Sequence, residues 1–215
     1  MEQADKKPTR LTPTDQMRRR FKGLLDPIAA FLNRLGLMPN TVTIIGLIGN
    51  TIGAYFLATG QMMIGGLIIL AMGPVDALDG TMARLRGEAS NFGAFVDSVT
   101  DRYSELVIFG GLLFYYLQQG VVLYATLAYL AAAGAILVSY TRARAQSLGL
   151  DTKVGILTRM ERYLVLAPLL VLSQWFSFAP EIALWILAIF ANITAFQRIL
   201  DVRRQAHQKI SKSPR

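Results

Sequence analysis

The 215-residue chain contains no cysteine. That excludes disulfides, thiolate metal ligands and a cysteine nucleophile. Its single histidine, His207, lies in a polar C-terminal stretch, so histidine-based acid–base catalysis is not expected. Charge is scarce: Asp, Glu, Lys and Arg make up 17% of the residues, against about a quarter in soluble domains. The first 20 residues are polar and hold no apolar core of the kind a cleavable leader needs, so no leader is expected.

What the chain has is apolar length. It is 53% hydrophobic, with a mean hydropathy of +0.40. Six apolar segments, near 41–59, 62–83, 92–117, 121–140, 157–175 and 182–196, each approach the length that crosses a bilayer core. The expected fold is therefore all-α: a polytopic membrane protein of six transmembrane helices. Ahead of them, residues 14–37 mix Arg18, Arg19, Arg20 and Lys22 with Phe21, Leu24, Leu25, Ile28, Phe31 and Leu32, the pattern of an interfacial amphipathic helix. The expected organisation is a disordered segment 1–13, the interfacial helix 14–37, a six-helix domain 38–201 and a basic cytoplasmic tail 202–215. All 22 Lys and Arg fall on one side of the six segments. By the positive-inside rule both termini and the loop near Arg86 are expected in the cytoplasm, with the protein in the cell (plasma) membrane. The formal charge of +8 then reads as basic loops beside anionic membrane lipids, with no nucleic-acid partner.

Against this apolar background stand four aspartates: Asp76-x2-Asp79-Gly80-x2-Ala83-Arg84, then Gly93-x3-Asp97-x3-Asp101. Charges at membrane depth face a bundle interior, line a watery cavity or hold a cation. Spacings of three and four put each pair on one helix face. The short connection is expected to bring the two helices together so that all four carboxylates converge. Oxygen-only ligands favour Mg²⁺, Mn²⁺ or Ca²⁺, one or two ions, over zinc. Gly80 and Gly93 leave room for a ligand against the backbone, and Arg84 offers a charge for phosphate. Two other readings are open. The acids could pair with Arg84, Arg86 and Arg102 as buried salt bridges, or they could form the ion pathway of a transporter.

The full pattern resembles the signature of the CDP-alcohol phosphatidyltransferases, and the layout from Leu25 to Asp201 fits that family as well. The resemblance implies that Asp76, Asp79, Asp97 and Asp101 hold two metal ions, and that Asp97 and Asp101 are catalytic, with Asp101 as general base. It also implies that Asp79, Gly80, Ala83, Arg84 and Gly93 line the site for the donor CDP-diacylglycerol. Pro39-Asn40-x2-Thr43 resembles the element that helps close the nucleotide site, giving Asn40 and Thr43 a part in it. The implied reaction is phosphatidyl transfer to an alcohol with release of CMP, in a homodimer.

The acceptor is read from arginines. Ser139, Arg142, Arg144, Arg159, Arg162 and Arg198 are expected around one cytoplasmic cavity, where forked guanidinium groups suit a phosphate monoester. The stretches Ser139-Tyr140-Thr141-Arg142-Ala143-Arg144-Ala145 and Gly155-x3-Arg159-x-Glu161-Arg162 are similar to those of prokaryotic phosphatidylinositol phosphate synthases. That favours a small phosphorylated polyol, inositol phosphate, as acceptor. Glycerol 3-phosphate, the substrate of phosphatidylglycerol phosphate synthases, is the second choice.

Overall fold

The computed structural model describes residues 13–88 and 90–212. The expected disordered segment 1–13 lies outside the described residues apart from Pro13, as do the side chains of Arg18–Lys22. Seven helices follow in order: α1 (Pro13–Arg34), α2 (Pro39–Ala58), α3 (Met62–Arg86), α4 (Asn91–Gln118), α5 (Val122–Ser147), α6 (Arg159–Leu172) and α7 (Ala179–Lys212). Local chemistry sets their ends. Proline opens α2, where its missing N–H costs nothing. Gly87 closes α3 in the left-handed conformation, at φ 68°. The Ser90 side chain caps α4 by accepting from the Gly93 amide at 3.0 Å.

α2 packs on α3 and α4, α4 on α5, α5 on α7, α7 on α6, and α6 on α3, which closes a ring of six helices. α1 docks outside it, against α3. The tightest seams are built on glycine. A Cβ on Gly111 would fall on the Ala54 carbonyl of α2, and one on Gly66 would lie 2.7 Å from the Leu170 Cβ of α6. Such close backbone approach is what small residues provide where both sides are apolar. α3 and α4 are joined by a four-residue connection, yet they are not among the closely packed pairs of the described residues. The expected direct pairing is replaced by α2, which both of them grip.

Exposed stripes run along the outside: Ile44, Ile48, Ile52 and Tyr55 on α2, and Trp185, Ile189, Ile193 and Phe196 on α7. Each repeats at helical spacing, and the exposed Thr51 on the α2 face turns its hydroxyl to the Leu47 carbonyl. Apolar patches of this extent mark a surface that meets something other than water. The protein is an integral membrane protein. Four helices, α2, α3, α5 and α7, are long and apolar enough to cross a membrane. The six expected spans are not all of this kind. α4 carries Asp97, Asp101, Arg102 and Glu105 between its N-terminus and its midpoint region. α6 has 14 residues, about 21 Å of helix against a hydrocarbon core of about 30 Å. α7 departs in the other direction. It runs on as helix to Lys212, through most of what was expected to be a separate tail.

Candidate active site

The acids occupy the facing ends of α3 and α4. Oxygens of Asp76, Asp97 and Asp101 all lie within 4.8 Å of one another. Asp101 is 7% exposed. Three carboxylates at this separation repel strongly in a poorly solvated site. The compensation that the structure supplies comes mainly from a residue far away in sequence. The Arg159 guanidinium, at the start of α6, reaches Asp76 at 2.6 Å and Asp101 at 2.7 Å. Arg102 stands further off, 3.7 Å from Asp101. Asp101 Oδ1 lies in that ion pair but accepts no well-formed hydrogen bond. Three clustered carboxylates, one of them with an undersatisfied buried oxygen, fit a hard divalent cation such as Mg²⁺ or Mn²⁺.

Asp79 stands apart from the trio. Its Oδ2 accepts from the Thr43 hydroxyl at 2.6 Å, and its Oδ1 from the Gly80 amide. The expected four-way convergence is thus three plus one, because the buried Thr43 hydroxyl draws Asp79 toward α2. Asp79 stays close enough to feel the charges of Asp97 and Asp76. The Asn40–Thr43 element joins the motif twice. Thr43 holds Asp79, and the Asn40 Oδ1 lies 3.7 Å from where a Gly93 Cβ would stand. Gly80 and Gly93 are unlike the seam glycines. A Cβ on Gly80 would meet only the Arg84 side chain at 3.6 Å, and one on Gly93 only the side chains of Ser90 and Asn40. No protein backbone requires glycine at either position. Arg84 folds back on its own helix to bond the Thr81 hydroxyl at 2.8 Å, beside Gly80. Ala83 is half-buried in the last turns of α3.

Of the three arginines in the salt-bridge alternative, Arg102 does pair with an acid, at 3.7 Å from Asp101, and the other two do not. Arg84 bonds Thr81, and Arg86 bonds the Leu37 carbonyl at 2.7 Å, tying α3 to the end of α1. Neither carries the trio.

The expected acceptor arginines divide. Arg159 sits among the acids. Arg162, 2% exposed, is consumed by Glu105 of α4 at 2.6 Å and by the Leu157 carbonyl at 3.2 Å. Arg198, 4% exposed, donates to the carbonyls of Val138 at 2.7 Å and Val154 at 3.0 Å. Arg142 faces Asp151 at 3.9 Å and, with Arg162, is an electrostatic neighbour of Arg198. Arg144 is exposed and turns to the Ser147 hydroxyl. Ser139 is half-buried on α5. The structure therefore gathers Arg142, Arg162 and Arg198, attaches Arg159 to the acids, and leaves Arg144 outside. Sequence reasoning missed Glu105. It lies one turn beyond Asp101, on the same face, and that spacing was the available signal.

Residues 36–196 match the family model for CDP-alcohol phosphatidyltransferase. The chain is 38% identical over 197 residues to phosphatidylinositol phosphate synthase of Streptomyces avermitilis, covering 86% of this chain and 80% of that one. It is 35% identical to archaetidylinositol phosphate synthase of Pyrococcus horikoshii, covering 88% and 96%. Among solved structures it resembles Mycobacterium tuberculosis phosphatidylinositol phosphate synthase with CDP-DAG bound. The TM-score is 0.78 at 31% identity, covering 83% of this chain and 92% of that one. The same enzyme in complex with manganese and citrate matches with a TM-score of 0.77 at 30% identity, covering 83% and 88%.

Proposed function

Because the chain belongs to the CDP-alcohol phosphatidyltransferase family, we propose that it transfers a phosphatidyl group from CDP-diacylglycerol to a hydroxyl of inositol phosphate, giving phosphatidylinositol phosphate and CMP. The observation that carries this reading is the carboxylate trio, held within 4.8 Å by two helices and balanced by Arg159. Asp76, Asp97 and Asp101 hold a divalent cation, and Asp79 serves a second. When bound, these cations neutralise charge building on the diphosphate. The cytidine and its phosphates lie along Gly80, Ala83, Arg84 and Gly93, with Asn40 and Thr43 closing the far side. The open space at both glycines supports that assignment.

Asp101 accepts the proton of the acceptor hydroxyl. The freed oxygen forms a bond to the β-phosphorus as the bond to CMP breaks, and CMP leaves with that electron pair. The acceptor phosphate lies against Arg142, Arg159 and Arg198, beside Ser139. Arg162 braces this wall through Glu105, and Arg144 faces outward.

Six spans remain the best topology, since α4 and α6 each lie in the ring between helices long and apolar enough to span. Both termini and the acids then face the cytoplasm. α1 lies along the membrane surface. Ala29, Leu25 and Leu32 pack toward α3, while Ile28, Phe31 and Leu35 are exposed, which is the second apolar face that an interfacial helix requires. A homodimer is part of the same reading. Gly110, with nothing near its missing Cβ, offers an outward point of close approach.

The test is CMP release from CDP-diacylglycerol with Mn²⁺ and, in parallel, inositol phosphate, inositol, glycerol 3-phosphate and serine. Inositol phosphate is expected to support turnover. Preference for glycerol 3-phosphate would move the acceptor assignment to the second reading, and no CMP with any of the four would overturn the transferase.

A further inference from the structure

The sequence gives α3 a break in its hydrogen-bond ladder at Pro74, two residues before its first acid. Pro74 has no N–H, so the Leu70 carbonyl loses its partner in the helix ladder. A side chain from another helix fills this break. Tyr163 of α6 directs its hydroxyl into it, 2.7 Å from both the Ile69 and the Leu70 carbonyl oxygens, and accepts from the Gly73 amide at 3.0 Å. In an α-helix the Gly73 amide and the Ile69 carbonyl are ladder partners, so the hydroxyl bonds both sides of one step of the ladder. Gly73 has to be glycine for this. A Cβ there would lie 2.5 Å from the Tyr163 Cζ.

The same helix touches α3 in register on both sides of the break. Gly66 meets Leu170, Tyr163 fills the step at 69–73, and Arg159 reaches Asp76. Tyr163 and Arg159 are four apart and share a face. Asp76 and Asp79 follow the break by two and five residues, whereas Asp97 and Asp101 ride on α4, which is anchored to α2 rather than to α3. The geometry of the break therefore sets where one half of the carboxylate cluster meets the other.

We propose that Tyr163 is a positioning residue: its hydroxyl, inserted at Pro74, fixes the direction of the last turns of α3 and so the separation of Asp76 and Asp79 from Asp97 and Asp101. This deepens the transferase reading, and rests on it for the cation role of the acids. Residues that orient metal ligands at one remove typically change affinity about 10- to 100-fold when altered.

The experiment is a Mn²⁺ titration by EPR on detergent-solubilised wild type, Tyr163→Phe and Tyr163→Phe/Pro74→Ala, with a metal-free thermal melt of each. Tyr163→Phe is expected to weaken Mn²⁺ about tenfold or more and to lower the melting temperature. The double variant restores an N–H for the Leu70 carbonyl. It should recover melting temperature yet stay weak for Mn²⁺, because the ladder closes without the directing contact. Wild-type Mn²⁺ affinity in Tyr163→Phe, or recovery of affinity together with stability in the double variant, would overturn the positioning role. If Tyr163→Phe is too unstable to titrate, the double variant decides by the same criterion. Failure of the transferase reading looks different: wild type that binds Mn²⁺ yet releases no CMP ends that reading and leaves the Tyr163 result standing. Wild type without saturable Mn²⁺ binding overturns both.

Discussion

The acids and the arginines of this protein are both unusual charges for a helix bundle in lipid, and the structure treats them in opposite ways. The arginines are mostly satisfied. Arg162 is buried on Glu105 and the Leu157 carbonyl, and Arg198 on two carbonyls. The acids are not. Three of them crowd within 4.8 Å, with Arg159 as their close counter-charge. A charge neutralised by an opposite charge, as Arg162 is by Glu105, is scaffold, whereas one left short marks where a ligand belongs. Arg159 joins the two sets, since it belongs by sequence to the arginines and by contact to the acids.

The largest expected break in this contrast is Asp101→Asn, which removes the proton acceptor and a cation ligand together. CMP release should fall by at least about 10³-fold while the melting temperature holds or rises, because one repelling charge is gone. Arg162→Gln should do the reverse. It strands Glu105 in a buried position and should cost about 3–5 kcal/mol of stability, read as an early melt, whereas Arg162→Leu/Glu105→Leu should be far milder. A stable Arg162→Gln variant with a raised acceptor KM would return Arg162 to the phosphate pocket. Among the glycines, Gly111→Ala drives a methyl into the Ala54 carbonyl and should cost about 1–3 kcal/mol. Gly80→Ala, with open space around it, should leave the melt unchanged and raise the CDP-diacylglycerol KM. Equal melts for the two would show that the seam and site glycines do not differ.

The same contrast explains what could be read from sequence. The acid motif was legible because its two halves lie on consecutive helices at helical spacing, so a linear pattern maps almost directly onto a site. Asp79 departs from the trio only because Thr43, 36 residues earlier, takes its carboxylate. The partnership of Arg159 with Asp76 spans 83 residues and depends on how the ring closes. Hydropathy could not order the ring, because it marks which segments are apolar and says nothing of which of them touch. The order was carried by which glycines meet which backbones, with Gly66 on Leu170 and Gly111 on Ala54. The length of α7 was hidden for a different reason. Beyond Phe196 the chain becomes polar and reads as a tail, yet Asp201 and Gln205 pair one turn apart, and Gln205 also bonds the Asp151 carbonyl, holding the helix against the α5–α6 loop.

The central claim is that the carboxylate trio is a cation site whose charge Arg159 offsets only in part in the protein alone. A calorimetric Mn²⁺ titration of wild type, Asp97→Asn and Arg159→Ala tests it most directly. Saturable binding should be present in wild type, lost in Asp97→Asn, and tightened in Arg159→Ala, where the competing guanidinium is gone. Undiminished binding in Asp97→Asn, or loss of binding in Arg159→Ala, would contradict the account.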